Sequence, residues 1–330
     1  MICKKTKKEI DQSGGTTRIS TKITRYLFTA APIAALLMIG LFSGCTKNSQ
    51  EILIGEFGSM TGSEATFGTS THKGIELAFD EVNSAGGING KKLKLISLDD
   101  QGKAEEANAA VTRLVTQNKV VALLGEVASS RSLAAAPIAQ QHKIPMISPS
   151  STNPKVTEIG DYIFRVCFID PFQGTVMAKF ATDTLKVKKV AIFRDVKSDY
   201  SVGLANFFAE KFKELGGEII ADLSYQSGDM DFNGQLTELK SKNPEAIFIP
   251  GYYTEVGLIA RQAQQLGLKV PLMGGDGWDS AKLVEIGQDA IIGNYFSNHY
   301  TSESQDPIVV DFIKKFKTRY NNETPDALAT

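Results

Sequence analysis

Two α/β lobes of Rossmann-like build, each on a parallel central sheet and joined by a hinge, are what this 330-residue sequence predicts. Three observations carry the prediction. From Glu51 onward, short β-rich runs alternate with longer helix-period stretches, the rhythm of strand–helix–strand units. Runs such as VVALLG (120–125) are apolar throughout, as expected of strands buried on both faces of a parallel sheet. The rhythm pauses at CFIDPFQG (167–174) and then restarts, in a chain long enough for two cores.

The first lobe is expected over 51–170. EILIGEFG (51–58) reads as a strand, and Ile75, Ala78, Phe79 and Val82 then share one helix face, closed by Gly86-Gly87. KKLKLISLDD (91–100) alternates as a strand, AEEANAAVTRLVTQN is an amphipathic helix, and VVALLG is a buried strand. SSRSLAAAPIAQQHK is a helix, IPMISP a strand, and YIFRVCFID alternates as another strand. The second lobe is expected over 171–299: a helix at 172–187, strand KKVAIFRD, helix 201–215, strand GEIIADLSY and helix 232–242. Strand AIFIPG, helix 254–266, strand VPLMGG, a short helix at 280–288 and strand IIGNYFSNHY follow. A second crossing is placed near SNHYTSES (297–304), so that residues 300–330, with helix DPIVVDFIKKFKTRYNN, rejoin the first lobe. TPDALAT opens a further helix, so a longer parent chain is expected.

Charge is unevenly spread. Residues 1–44 carry seven Lys/Arg against two acids, whereas the remainder carries 29 basic and 35 acidic residues. A mildly acidic body lacks the footprint of a nucleic-acid binder. Residues 1–44 read as a signal peptide: a basic stretch, an apolar run from Tyr26 to Phe42, then Ser43 and Gly44 before Cys45. LFSGC resembles a bacterial lipobox, with Cys45 as the lipidated residue and 45–50 as the tether; a conventional or uncleaved signal is the alternative. Lipid on one residue would tie the protein to the outer side of a bacterial membrane. Cys167 is then the single remaining thiol and reads as a small buried group.

Catalytic and metal motifs are missing from the pattern. AGGINGKK (85–92) joins a helix to a strand, the wrong order for a phosphate loop, and there is no G-x-S-x-G elbow. His72, His142 and His299 lack ligand spacing and read as surface or loop residues; Asp99 and Asp100 read as a solvated strand end. No enzyme, cofactor or metal is therefore expected.

Open α/β sheets bind ligands beyond the carboxyl ends of their strands. In the first lobe those loops hold Phe67 in SMTGSEATFG, Ser129 and Ser130 at a helix start, and Thr152 in PSSTNPKVT. Helix N-termini with hydroxyls suit a carboxylate, although on spacing alone Ser129 and Thr152 serve equally well as caps. In the second lobe they hold Tyr200, Tyr252 with Tyr253, and Asp276 with Trp278 in GGDGWDS. Asp276 is either a turn residue or the acceptor for an ammonium group, with aromatic rings walling the remainder of the ligand. An anion site on one lobe and a cation site on the other describe an α-amino acid held in a cleft.

GSMTGSEATFG, AGGINGKKLKL, GEVASS, ISPSSTNPKVT, DYSVGLA, GYYTEVGLIARQAQQLG and LMGGDGW, in this order and spacing, resemble the leucine/isoleucine/valine-binding protein family. The resemblance covers about residues 51–330 and implies the type I periplasmic binding protein fold of branched-chain amino acid ABC transporters. It implies that Ser129 and Thr152, with backbone at Ser150, receive the ligand carboxylate, that Asp276 receives the ammonium group, and that Tyr200 and Tyr252 line the pocket. The family commonly has glutamate at Asp276 and tyrosine at Phe67, and Trp278 is expected to flatten the pocket. The implied partners are an amino acid, permease subunits and, through the anchor, a membrane; the implied state is a monomer. A ligand-sensing module coupled to signalling is the other use of such a fold.

Overall fold

The computed structural model describes residues 51–330; the basic segment, the apolar run, Cys45 and the tether lie outside the described residues. Two five-stranded sheets form, and every strand pairing within them is parallel. The first contains β1 (Glu51–Gly58), β2 (Lys92–Asp99), β3 (Ala122–Leu124), β4 (Met146–Ser148) and β5 (Ile163–Arg165), in the order β2-β1-β3-β4-β5. The second contains β6 (Lys189–Asp195), β7 (Glu218–Tyr225), β8 (Ala246–Phe248), β9 (Leu272–Gly274) and β10 (Tyr295–Phe296), in the matching order β7-β6-β8-β9-β10. The strand order therefore reverses direction beside the first strand of each sheet, leaving a crevice between the loops that follow β1 and β3, and another between those that follow β6 and β8.

The connecting helices of the first lobe are α1 (Ala65–Ser84), α2 (Ala104–Arg113), α3 (Ser129–His142) and the single turn α4 (Lys155–Glu158). Those of the second are α5 (Asp170–Lys179), α6 (Asp199–Glu214), α7 (Asn233–Ser241), α8 (Tyr253–Gln265) and α9 (Ala281–Gly287). α10 (Pro307–Arg319) comes after the second sheet yet packs on α1, where Phe316 and Ala329 meet Leu77 and Tyr320 donates to the Lys73 carbonyl at 2.8 Å. The chain thus leaves the first lobe between β5 and α5 and returns between β10 and α10.

Period-two burial explains the sheet cores. In β6, Val190 and Ile192 face a cluster with Leu204, Phe208 and Phe248, while Ala191 and Phe193 face a separate cluster with Phe232, Ile247 and Val256. A strand covered on both sides must be apolar at every position, and its neighbour β8 is likewise wholly buried. Phe208 stacks on Phe248 at 4.0 Å between centroids; truncating such a ring costs about 3–5 kcal/mol. The first lobe's core is Phe57, Val111, Leu114, Leu123, Met146 and Ile163.

Several elements depart from expectation. α1 begins at Ala65, ten residues before Ile75, the first residue of the expected helix face, because Gly68, Thr69, Ser70 and Thr71 hide a turn that tertiary contacts supply. A Cβ on Gly68 would collide with the Ser59 backbone, so the small residue lets α1 press against the end of β1. The helix face at Ile75, Phe79 and Val82 is only half-buried and Ala78 is exposed. The alternating run at 162–170 yields three strand residues, since Arg165 turns to donate to the carbonyls of Ser151, Asn153 and Pro154, ending the ladder. Cys167 lies beyond the strand, in the crossing, partly buried, with burial pushing its thiol up to about 12. The expected strand at 291–300 shrinks to Tyr295–Phe296, because Gln288–Ile291 closes a 3-10 turn and Gly293 takes a positive φ of 84°. Asp99 is exposed as expected, but Asp100 is fully buried, accepting from the Ser59 hydroxyl and the Gly102 N–H at 3.0 Å each, so the solvated reading fails at Asp100. Among the described residues, no helix is long and apolar enough to cross a membrane.

Candidate functional site

The crevices of the two sheets face one another, and a narrow cavity lies between them. Phe67, Val127, Ser129, Ser150, Tyr200, Tyr252, Asp276, Gly277 and Leu328 line it. Six of the eight side chains singled out from sequence therefore meet there: Phe67, Ser129, Ser150, Tyr200, Tyr252 and Asp276. They come from the loops after β1, β3 and β4 and from those after β6, β8 and β9. The lobes touch around this space. Thr66 and Ser280 share a hydroxyl contact of 3.0 Å, Thr254 donates to the Ser63 carbonyl at 2.7 Å, and Ser130 donates to Asp199 at 2.8 Å. The cleft is closed.

On the first lobe, α3 opens at Ser129, so its leading N–H groups fall outside the helix ladder and carry the positive end of the helix dipole. Ser129 is buried, and its hydroxyl accepts from the Asn153 N–H at 3.2 Å, joining the loop after β3 to the loop after β4. Ser150 donates to the Val127 carbonyl at 3.4 Å. Beneath them sits a buried charge network. Glu126 accepts from Ser59 and from the Ala128 N–H with its carboxylate, and from the hydroxyls of Ser132, Ser148 and Ser151 with its carbonyl. Arg131 reaches Glu126 at 3.0 Å and bonds Glu64, the residue before α1. Burial raises the Glu64 carboxyl above its ordinary value, and the two carboxylates hold the Arg131 guanidinium well above its own despite burial. Burial together with the Glu126 charge pushes Asp100 up to about 7.

On the second lobe, the Tyr200 phenol donates to Asp276 Oδ1 at 2.9 Å and accepts from the Gly277 N–H at 3.2 Å. Burial and the Asp276 charge hold Tyr200 well above the usual phenol value, so it stays a donor. Tyr252 stacks on Tyr200 at 5.3 Å, and Phe67 meets Tyr252 edge-on at 5.8 Å, an aromatic wall across the lobe boundary. Gln173 accepts from the Asp276 N–H at 2.8 Å and from Ser297 at 2.7 Å. His299 Nε2 lies 2.8 Å from Asp276 Oδ2, and its ring stacks on Phe168 at 3.8 Å.

Two singled-out residues lie elsewhere. Trp278 is core: its indole N–H donates to the Ile249 carbonyl at 3.0 Å and its ring fills the space over Gly274, where a Cβ would overlap it. It flattens no pocket, because three-residue strand β9 turns the ring under the sheet end. Thr152 is buried outside the cavity lining and caps no helix; its hydroxyl faces Asp170 without reaching bonding geometry. The α4 turn instead receives its local bond from Asn153 Oδ1, which accepts from the Lys155 N–H at 3.0 Å. Burial pushes Asp170 up to about 8, which the Thr152 hydroxyl only partly offsets.

Two histidines also depart from the surface reading. His299 is partly buried against Asp276, and His72 Nδ1 is 2.6 Å from the buried Glu56. Sequence reading missed Glu126, Arg131, Gln173 and His299, whose roles come from partners distant along the chain. GEVASSR did hold a signal: an acid and an arginine on either side of a helix start. Among the described residues, no cluster of His, Cys, Asp and Glu could hold a metal ion.

A family model described as periplasmic binding protein matches residues 51–330. The leucine-, isoleucine-, valine-, threonine- and alanine-binding protein of Pseudomonas aeruginosa is 31% identical over 315 residues, covering 95% of this chain and 80% of that protein. The crystal structure of the leucine binding protein LivK of Thermotoga maritima is 44% identical with a TM-score of 0.80, covering 84% of this chain and 78% of that one. The branched-chain amino acid transporter substrate binding protein LivJ of Streptococcus pneumoniae, in complex with isoleucine, is 38% identical with a TM-score of 0.79, covering 84% and 80%. Against the curated relatives it matches, the chain spans from 66% to 80% of their own length.

Proposed function

Because the chain belongs to the periplasmic binding protein family, we propose that it is the extracytoplasmic substrate-binding component of an ABC transporter, capturing a branched-chain or related amino acid for the permease. The observation that carries this is the pairing of walls across one closed cavity: the start of α3 on the first lobe and Asp276 on the second. A helix start favours a carboxylate and a buried acid favours an ammonium, so a zwitterion satisfies both at once. Relatives point the same way, since the LivJ structure holds isoleucine and the Pseudomonas protein is named for five amino acids.

Capture follows from the geometry. A ligand that touches both walls gains contacts only when they meet, so it stabilises the closed state by that difference in affinity. Ser129 and the Ser150 loop take the carboxylate, Asp276 the ammonium, and Phe67, Tyr200 and Tyr252 enclose the side chain. Asp276 is shorter than glutamate, so its oxygen must be held forward, which Tyr200 does. Cys45 carries a lipid that keeps the receptor beside its permease and raises its local concentration there.

Titration calorimetry of L-isoleucine against wild type and Asp276→Asn tests the site. The variant should bind at least about tenfold more weakly, the scale of a charge-assisted bond, and L-isoleucine methyl ester should bind poorly to wild type. Equal binding of the ester, or an unchanged affinity in the variant, contradicts the assignment. Cys45→Ser should move the protein from the membrane to the soluble fraction; continued retention in membranes contradicts the anchor.

A further inference from the structure

Both segments that cross between the lobes converge on the back of Asp276. The first crossing carries Phe168 and leads into α5 with Gln173; the second carries Ser297 and His299. Gln173 holds the Asp276 N–H and is itself tied to Ser297, while His299 sits on the carboxylate at 2.8 Å and on the Phe168 ring at 3.8 Å. The side chain of His299 is 15% exposed, so this contact is largely screened from water. Its backbone N–H is taken by Asn298 Oδ1 at 2.8 Å. Asp276 thus has one oxygen on Tyr200 and the other on an imidazole that belongs to the hinge.

We propose that His299 is a positioning residue for ligand capture: it holds the ammonium-binding carboxylate in place only when the two crossings are stacked. The proposal rests on reading Asp276 as the ammonium site. A ring N–H donated to Asp276 Oδ2 fixes the carboxylate and leaves its charge for the ligand.

The experiment is calorimetric titration of L-isoleucine at pH 7 against wild type, His299→Gln, His299→Phe and Asp276→Asn, each checked for folding by circular dichroism. His299→Gln, which keeps a side-chain donor, should bind within about threefold of wild type. His299→Phe, which keeps the stack without the donor, should bind roughly tenfold more weakly. Wild-type affinity in His299→Phe, or a loss in His299→Gln as large as that in His299→Phe, overturns the proposal. Asp276→Asn separates the premise: undiminished binding in that variant removes the ammonium site itself, whereas weakened binding there leaves the histidine variants to decide.

Discussion

The two walls of the cleft are supported in different ways. Behind the helix start of α3, Glu126, Arg131, Glu64, Ser59 and Asp100 bond to one another, and all of them belong to the first lobe. Behind Asp276, the supports are Tyr200 from its own lobe and Gln173 and His299 from the hinge side. The wall at the start of α3 is therefore complete within one lobe, whereas the wall at Asp276 also depends on how the second crossing lies.

The largest test of this contrast is Arg131→Met. It leaves Glu64 and Glu126 buried without their shared cation, and should destabilise the fold by roughly 3–5 kcal/mol in chemical denaturation. A loss under about 1 kcal/mol would mean that the first wall does not rest on its charge network.

Asp170 sharpens the hinge side. Its folded-state value of about 8 lies above the unfolded 3.8, so wild-type stability attributable to it is fully present below about pH 4 and lost as pH rises through about 8. Asp170→Asn escapes that loss. The unfolding free energy of the variant relative to wild type, from chemical denaturation, should climb between pH 4 and pH 8 by on the order of a few kcal/mol and then level off. A difference that stays flat across the range would place Asp170 in contact with solvent or a cation.

The smallest effect is expected at Trp278. Trp278→Phe removes the indole bond to Ile249 and should cost about 0.5–1.5 kcal/mol of stability while leaving amino-acid affinity within about twofold. A tenfold change in affinity would return the ring to the ligand.

The walls also differ in how far sequence alone revealed them. Both sheets were legible because short apolar runs alternate with amphipathic ones, and strand-end loops direct attention to Phe67, Ser129, Tyr200, Tyr252 and Asp276, whereas Ser150 entered only through the family resemblance. Thr152 and Trp278 sit in those same loops, yet one faces Asp170 and the other packs over Gly274. A loop position does not say which way its side chain turns. His299 read as a loop residue because its meaning comes from Asp276, 23 residues away, and Gln173 acquires its role from a backbone amide 103 residues distant. The Gln173 pairing closes within the second lobe and the His299 pairing waits for the second crossing, and no local spacing encodes either.

A crystal structure of the protein with L-isoleucine tests the central claim most directly. The ligand's carboxylate should lie within about 3 Å of donors at Ser129 and the Ser150 loop, and its ammonium within the same distance of Asp276. A molecule seated outside the cleft, or with its two ends exchanged, would contradict it.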